Sequence, residues 1–237
     1  MSGLIIKSPH QDNTDEYWWV GQDALVKDNI EECYFTENDI IARIKENNEG
    51  YFDFSKNLVD IGACYGAYSM LLDFNHNYAF EPGKEKCCLI YANMYLKGKV
   101  NNTDVFNVAL DEVDGTIKFN GFWCDGYSTF ETAYGQHFDM YDVPARCLDD
   151  FSINNVGFIK IDVEGMEEKV LRGGFGTIIR NNYPPILFEC WNVGDNGMTQ
   201  EKHDSLFNTI KSLGYEILEC WGQSDTHLAV HKNQLNK

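Results

Sequence analysis

The sequence predicts an α/β fold built on a mostly parallel sheet, and three observations carry that prediction. From Asn57 onward, short apolar runs alternate with helical patterns, the signature of βαβ units. An apolar strand ends at Asp60 and turns through Gly62 and Gly66 straight into a helix. The length, 237 residues, suits one α/β domain with modest additions better than two full domains.

Taken in order, residues 1–54 read as an N-terminal appendage or helical cover, and 55–237 as the domain proper. The opening segment is polar and aromatic (Tyr17, Trp18, Trp19). Thr36 then offers an N-cap, with Asp39 as its acidic partner, before Ile40, Ile41 and Ile44. Asn57 to Ile61 is the first core strand and Ala67 to Asp73 the helix after the glycine loop. Tyr78 to Glu81 is a strand, and Lys84 to Leu96 a helix that buries Cys88, Ile90, Tyr91 and Met94. Val105 to Leu110 is a third strand. Asp114-Gly115 then signals a turn that pairs Asn107–Asp111 with Thr116–Phe119 as a hairpin, at the start of an insertion over about 115–147. Gly157 to Val163 is a fourth core strand, with a helix from Met166 to Arg172. Ile186 to Cys190 is a fifth, after Pro184-Pro185. A helix over Leu206 to Leu213 stops at Gly214. Tyr215–Cys220 and Thr226–His231 close the sheet as an antiparallel pair.

Composition narrows the partners. The chain has 37 acidic against 19 basic side chains, a formal charge of -18, which repels phosphate backbones and anionic lipid. The basic residues are scattered, so no nucleic-acid or membrane partner is expected. No apolar run reaches the length of a membrane span. The eight cysteines include no C-x-x-C pair, and Cys87-Cys88 adjoin on a helix, against a zinc site. Met1 to His10 lacks a secretory leader's apolar core, so free thiols and a cytoplasmic location are expected.

The turn Asp60-Ile61-Gly62-Ala63-Cys64-Tyr65-Gly66 opens a nucleotide-binding βαβ unit. Its glycines permit a tight turn and the approach of a ligand where a Cβ would stand. Cys64 occupies the second glycine position of the dinucleotide fingerprint. That points away from a pyrophosphate, which needs the close approach, and toward another nucleoside cofactor. Glu81 ends the next strand at the distance where an acidic residue meets a ribose, and Pro82 stiffens the turn behind it. Asn107 and Ala109 end the third strand, a position suited to adenine contacts.

Three further blocks extend the pattern: Asn107-Val108-Ala109-Leu110, Leu148-Asp149-Asp150-Phe151, and Phe158-Ile159-Lys160-Ile161-Asp162-Val163-Glu164-Gly165. With the glycine loop and Phe80-Glu81-Pro82, the chain resembles FkbM-type S-adenosylmethionine-dependent methyltransferases from Asn57 to Cys190. The resemblance implies a Rossmann-like class I methyltransferase fold, a seven-stranded mostly parallel sheet with an antiparallel last strand, flanked by helices. It also implies S-adenosylmethionine held by Asp60, Gly62, Ala63, Tyr65, Gly66, Glu81, Pro82, Asn107 and Ala109. The activity implied is O-methylation of a hydroxyl, with a small-molecule or glycan acceptor. Acceptor choice is expected in the appendage and the inserted stretch Gly121 to Asp142.

Methyl transfer to a hydroxyl needs alignment and a group that takes or weakens the hold on the proton. Asp162, at the carboxyl end of the fourth core strand, is the first candidate; Lys160 and Glu164 share its parity along the strand. Lys160 and Asp162 equally suit an ion pair pinning the loop, and Glu164 before Gly165 equally suits a helix cap. Glu189 ends the neighbouring strand inside an apolar run, where a charge is costly unless paired or ligating. Asp162 and Glu189 thus form either a proton-sharing pair or a site for a divalent cation, Mg²⁺ or Mn²⁺. His137 in the insertion is a weaker candidate to approach the acceptor; His227 and His231 read as strand-end residues. Trp123, Tyr127, Tyr134, Phe138 and Tyr141 suit stacking on a sugar face or anchoring the loop, and Ser128-Thr129 lie among them. Two other functions share parts of this pattern. An NAD-dependent oxidoreductase is disfavoured by Cys64 and by the lack of a Tyr-x-x-x-Lys pair, and RNA 2′-O or cap methylation by the acidity.

Overall fold

The computed structural model describes residues 4–7, 19–22, 38–120, 140–218 and 224–235. The Thr36 cap, His137, Ser128-Thr129 and the insertion's aromatic residues up to Phe138 lie outside them. Strands β1 (Leu4–Lys7) and β2 (Trp19–Gln22) pair antiparallel. Helix α1 (Asn38–Glu46) is followed by β3 (Asn57–Ile61), α2 (Ala67–Leu71), β4 (His76–Phe80), α3 (Lys84–Leu96) and β5 (Thr103–Phe106). Next come β6 (Ala109–Leu110), β7 (Gly115–Asn120) and β8 (Met140–Arg146). The remainder comprises β9 (Val156–Ile161), α4 (Glu167–Gly173), α5 (Phe175–Arg180) and β10 (Ile186–Glu189), then α6 (Gln200–Ser212), β11 (Tyr215–Leu218), β12 (Thr226–His231) and α7 (Lys232–Leu235).

The main sheet has seven strands in the order β11-β12-β10-β9-β3-β4-β5, with β12 antiparallel to both its neighbours and the others parallel. Every residue of β3 and β9 is buried, as parallel strands covered on both faces must be. Alternation divides them between two apolar layers. Leu58, Phe158 and Leu187 pack with Ile40, Ile44, Tyr68, Ile90 and Met94. Val59, Ile61, Ile159, Ile161 and Phe188 pack with Val170, Leu171, Ile178 and Ile210. Strand order reverses between β3 and β9, and the crevice beyond their carboxyl ends is where open α/β sheets bind ligands.

Some elements differ from the sequence reading. Within the expected appendage or helical cover of residues 1–54, Ile40, Ile41, Ile44 and Phe52 are buried and pack with Leu58, Phe158 and Leu187. In α3 the buried stripe is Lys86, Cys87, Leu89, Ile90, Asn93 and Met94, whereas Cys88 is exposed and Tyr91 is 47% exposed. Helix α6 begins at Gln200, well before Leu206, because the Thr199 hydroxyl caps it by accepting from the Lys202 amide at 3.2 Å. It ends at Ser212, and the expected stop, Gly214 (φ +88°), follows its C-cap Leu213. The expected strand Val105–Leu110 breaks at Asn107, so that β5 stays in the main sheet and β6 enters a small one ordered β6-β8-β7. The expected hairpin is therefore not formed: β8 lies between its two supposed arms, parallel to β6 and antiparallel to β7. Asp114 holds that junction by accepting from Arg146 at 2.7 Å and from the Cys147 amide at 3.1 Å. Among the described residues no helix is long and apolar enough to cross a membrane.

Candidate active site

The glycine loop joins β3 to α2, and main-chain bonds fix it on several sides. Gly62 and Ala63 donate to the Phe80 carbonyl at 3.0 and 3.1 Å, the Cys64 amide donates to Glu81 Oε2 at 2.9 Å, and Asn93 Nδ2 donates to the Tyr65 carbonyl at 2.9 Å. Gly62, Cys64 and Gly66 have φ of +69°, +52° and +78°, so the turn demands left-handed backbone at three positions. The Cβ position of each glycine is taken by the protein itself. A Cβ at Gly62 would overlap the Asp162 carbonyl oxygen, and one at Gly66 would stand 3.2 Å from Ile90 Cγ2 and 3.3 Å from Met94 Cε. Ala63 and Tyr65 are buried. Asp60 is fully buried under the loop, with Oδ2 accepting from the Ser69 amide (3.2 Å) and hydroxyl (2.7 Å). Burial raises its pKa against the opposing pull of Lys160.

Glu81 is buried beyond β4. Oε1 accepts from the Gly83 amide at 2.7 Å and Oε2 from Cys64. Burial pushes its carboxyl above the ordinary range, and buried Lys86 pulls it back. A carboxylate has about four lone-pair sites, so about two remain beyond these bonds. Asn107 Nδ2 donates to the Glu81 carbonyl at 3.1 Å and to the Pro82 carbonyl at 2.8 Å, bracing that turn from the break between β5 and β6. Ala109 is not brought to the loop: it is buried in the small sheet with Phe119 and Val143.

Lys160, Asp162, Glu164 and Glu189 converge next to Gly62. Buried Lys160 donates from Nζ to the Gly62 carbonyl at 2.7 Å and pairs with Asp162 Oδ2 at 3.2 Å, with the Tyr68 ring centroid 5.6 Å away. The ion pair considered from sequence is therefore present, and it ties the glycine loop to the acid beyond β9. The register Ile161↔Phe188 sets Asp162 beside Glu189 across parallel strands. Glu164, left-handed at φ +57°, turns back to the same place, so that one carboxylate oxygen each of Asp162, Glu164 and Glu189 lies within 4.8 Å of the others. Capping the turn falls to Glu167, whose Oε1 accepts from Val163 and Gly165 amides at 3.1 and 3.2 Å. Sequence reasoning missed this residue: it is the first residue of α4, after the N-cap Met166, and so lacks the spacing of a capping box.

Glu189 Oε2 is buried with no hydrogen-bond partner among the described residues. Burial pushes its carboxyl up to about 10, and Asp162, Glu164, Glu167 and Asp225 push the same way. A carboxyl raised from 4.5 contributes stability that is fully present below that value and is lost as pH climbs toward 10. Glu189→Gln does not titrate. In chelator-treated buffer its melting temperature should therefore exceed the wild type's by an increment that grows to several degrees between about pH 5 and pH 9. A constant increment across that range refutes the assignment. The described strand-end histidines are structural: His231 stacks on Tyr183 at 4.2 Å, and His227 packs against Phe188 and Phe207.

The family model described as Methyltransferase FkbM domain matches residues 60–217, a span holding the glycine loop, Glu81 and all the converging acids. Among curated proteins no sequence matches. Among solved structures, methyltransferase FkbM from Methylobacillus flagellatus KT is similar with a TM-score of 0.53 and 19% identity, over 75% of this chain and 44% of that one. The chain thus spans less than half the length of that structure. The likeness, with the observed strand order, bears out the Rossmann-like class I fold. A SAM dependent methyltransferase from Aquifex aeolicus has a TM-score of 0.46 at 11% identity, covering 86% of this chain and 95% of its own. Ribosomal protein L11 methylase from Lactobacillus delbrueckii subsp. bulgaricus has 0.49 at 10%, covering 82% and 77%.

Proposed function

The chain belongs to the FkbM methyltransferase family, and from that premise we propose that it methylates a hydroxyl of a small molecule, a sugar or glycan, with S-adenosylmethionine as donor. The observation that carries the reading is the meeting of two sites: the glycine loop capped by Glu81 touches the backbone of Asp162, whose side chain faces Glu164 and Glu189. The residues fit the donor, since Glu81 is buried yet keeps acceptor positions for two ribose hydroxyls, and Asp60 Oδ1 is a buried oxygen without a partner among the described residues. When bound, the donor supplies an electrophilic methyl on a cationic sulfonium.

The remaining work falls to the chain's own groups. Asp162, steadied by Lys160, accepts the proton of the acceptor hydroxyl as its oxygen attacks. Glu189, kept protonated by its surroundings, donates a hydrogen bond that fixes the acceptor's orientation. A cluster of carboxyl oxygens favours hydroxyl donors and, with a chain charge of -18, disfavours phosphorylated acceptors and nucleic acid. One further observation supports a second form of the reading. Three carboxylate oxygens within 4.8 Å are a hard donor set that Asp162, Glu164 and Glu189 would offer to Mg²⁺ or Mn²⁺, which would lower the pKa of a coordinated hydroxyl. Free thiols at Cys64, Cys87, Cys88, Cys147 and Cys190 support the cytoplasm as the place of action.

The test incubates the protein with radiolabelled S-adenosylmethionine and rhamnose, fucose, glucose, N-acetylglucosamine, their nucleotide-linked forms and RNA, while calorimetry measures binding of S-adenosylhomocysteine and NAD. Label in a neutral sugar and binding of the nucleoside product are expected. NAD binding without S-adenosylhomocysteine binding, or label in RNA alone, overturns the proposal. Loss of turnover on chelation with recovery in Mg²⁺ or Mn²⁺ selects the cation form, and unchanged turnover removes it.

A further inference from the structure

We propose that Glu167 is a positioning residue, a buried strut that holds the turn 163–165 in the shape that delivers Glu164 and Asp162 to the strand ends. The inference rests on the methyltransferase reading and concerns a residue outside the acids that meet there. The turn it supports is an unfavourable one. Glu164 and Gly165 take φ of +57° and +90° in succession, and only the second is a glycine. On its far side Gly165 is closed off by Trp191, whose Cζ3 would lie 3.2 Å from a Cβ at that position. A turn of this kind needs its amides satisfied from within, because Val163 and Gly165 precede the N-cap Met166 and buried N–H groups without a partner are costly.

Glu167 supplies that satisfaction with one atom. Its Oε1 accepts both the Val163 and the Gly165 amides, which straddle Glu164. The side chain is 2% exposed, although burying a carboxyl is costly unless the group is engaged. Among the described residues its hydrogen-bond partners are main-chain amides, so the engagement is with the turn. Burial, helped by Asp162, pushes its carboxyl up to about 7. Either protonation form presents Oε1 as an acceptor. A glutamine presents the same atom at the same reach. An aspartate keeps the charge but is one methylene too short.

Hydrogen exchange at the Val163 and Gly165 amides and turnover with the sugar that takes most label together test the strut. Glu167→Ala and Glu167→Asp should each speed exchange at both amides at least about tenfold and lower kcat by about ten- to a hundredfold. Affinity for S-adenosylhomocysteine should stay within about twofold, because Glu81 and the glycine loop are untouched. Glu167→Gln should restore both the slow exchange and the turnover. Unchanged exchange in Glu167→Asp overturns the proposal, as does normal kcat despite opened amides. A glutamine variant as slow as the aspartate one also overturns it, since the charge or proton would then matter and not the acceptor atom. Should Glu167→Ala fail to fold, the aspartate and glutamine variants decide. A wild-type chain that binds S-adenosylhomocysteine but labels no sugar fails the parent reading alone; the amide exchange then judges the strut.

Discussion

Asp162→Asn is expected to lower turnover by about 10²- to 10⁴-fold while S-adenosylhomocysteine binds within about twofold of the wild type. The change removes a proton acceptor and keeps shape. The amide retains one oxygen to face Lys160 Nζ, 3.2 Å from Oδ2 in the native site, and the main chain still donates to the Ile61 carbonyl at 3.1 Å. The Gly62 carbonyl keeps its own bond to Lys160 at 2.7 Å, so the glycine loop has no reason to shift. Parallel measurement of kcat and of product affinity checks this. A variant with full turnover excludes Asp162 as base or ligand, and one that loses product binding as well assigns it to the donor pocket.

Gly62→Ala should be the most destabilising single change in the loop. Left-handed backbone costs a non-glycine residue roughly 1–2 kcal/mol, and Gly62 sits at φ +69°. The added methyl also overlaps the carbonyl oxygen of Asp162, a backbone atom that cannot rotate away. The ends of β3 and β9 must then part, breaking the hydrogen bond that the Asp162 amide donates to the Ile61 carbonyl. The total is about 3 kcal/mol or more, equivalent to a fall in melting temperature of about 6–12 °C for a chain of this size. Gly66→Ala is the control. Its φ of +78° is as demanding, but its neighbours are the side chains of Ile90 and Met94, which can yield. Calorimetric melting should rank Gly62→Ala below Gly66→Ala, and the reverse order would show that steric overlap with Asp162 is not what requires the glycine. Together the two predictions separate the loop's jobs, since one concerns chemistry beside it and the other its packing.

The parts of the site that could be read without coordinates follow local rules. Asp60, Glu81, Asp162 and Glu189 each end an apolar run, and parallel strands bring such ends to one rim. Parity put Lys160 with Asp162, and the pair is formed. The same local rules erred where a pattern had more than one solution. In α3, Cys88 and Tyr91 are apolar enough to be buried, but the stripe that meets the sheet and Tyr65 includes Cys87, Asn93 and buried Lys86. Asp114-Gly115 is a sound turn signal, yet β8 takes the place between β6 and β7 from the far side of an insertion. Glu167 carries no local mark of its role, which lies in the two turn amides that it accepts from.

The sequence by itself determined the alternation of strands and helices, the left-handed loop at Gly62 and Gly66, and the acids at the strand ends. Each of these depends on residues close together in the chain, through periodicity, backbone sterics and the cost of a charge in an apolar run. Only the tertiary structure decided that Glu164 joins Asp162 and Glu189, that Glu167 holds their turn, and that the space beside Gly62 belongs to Asp162. Those outcomes rest on register between β9 and β10, whose partners Ile161 and Phe188 are 27 residues apart, and on the approach of β3 to β9, where Ile61 and Ile161 are 100 apart. Pairing energies at that separation leave no mark on local pattern.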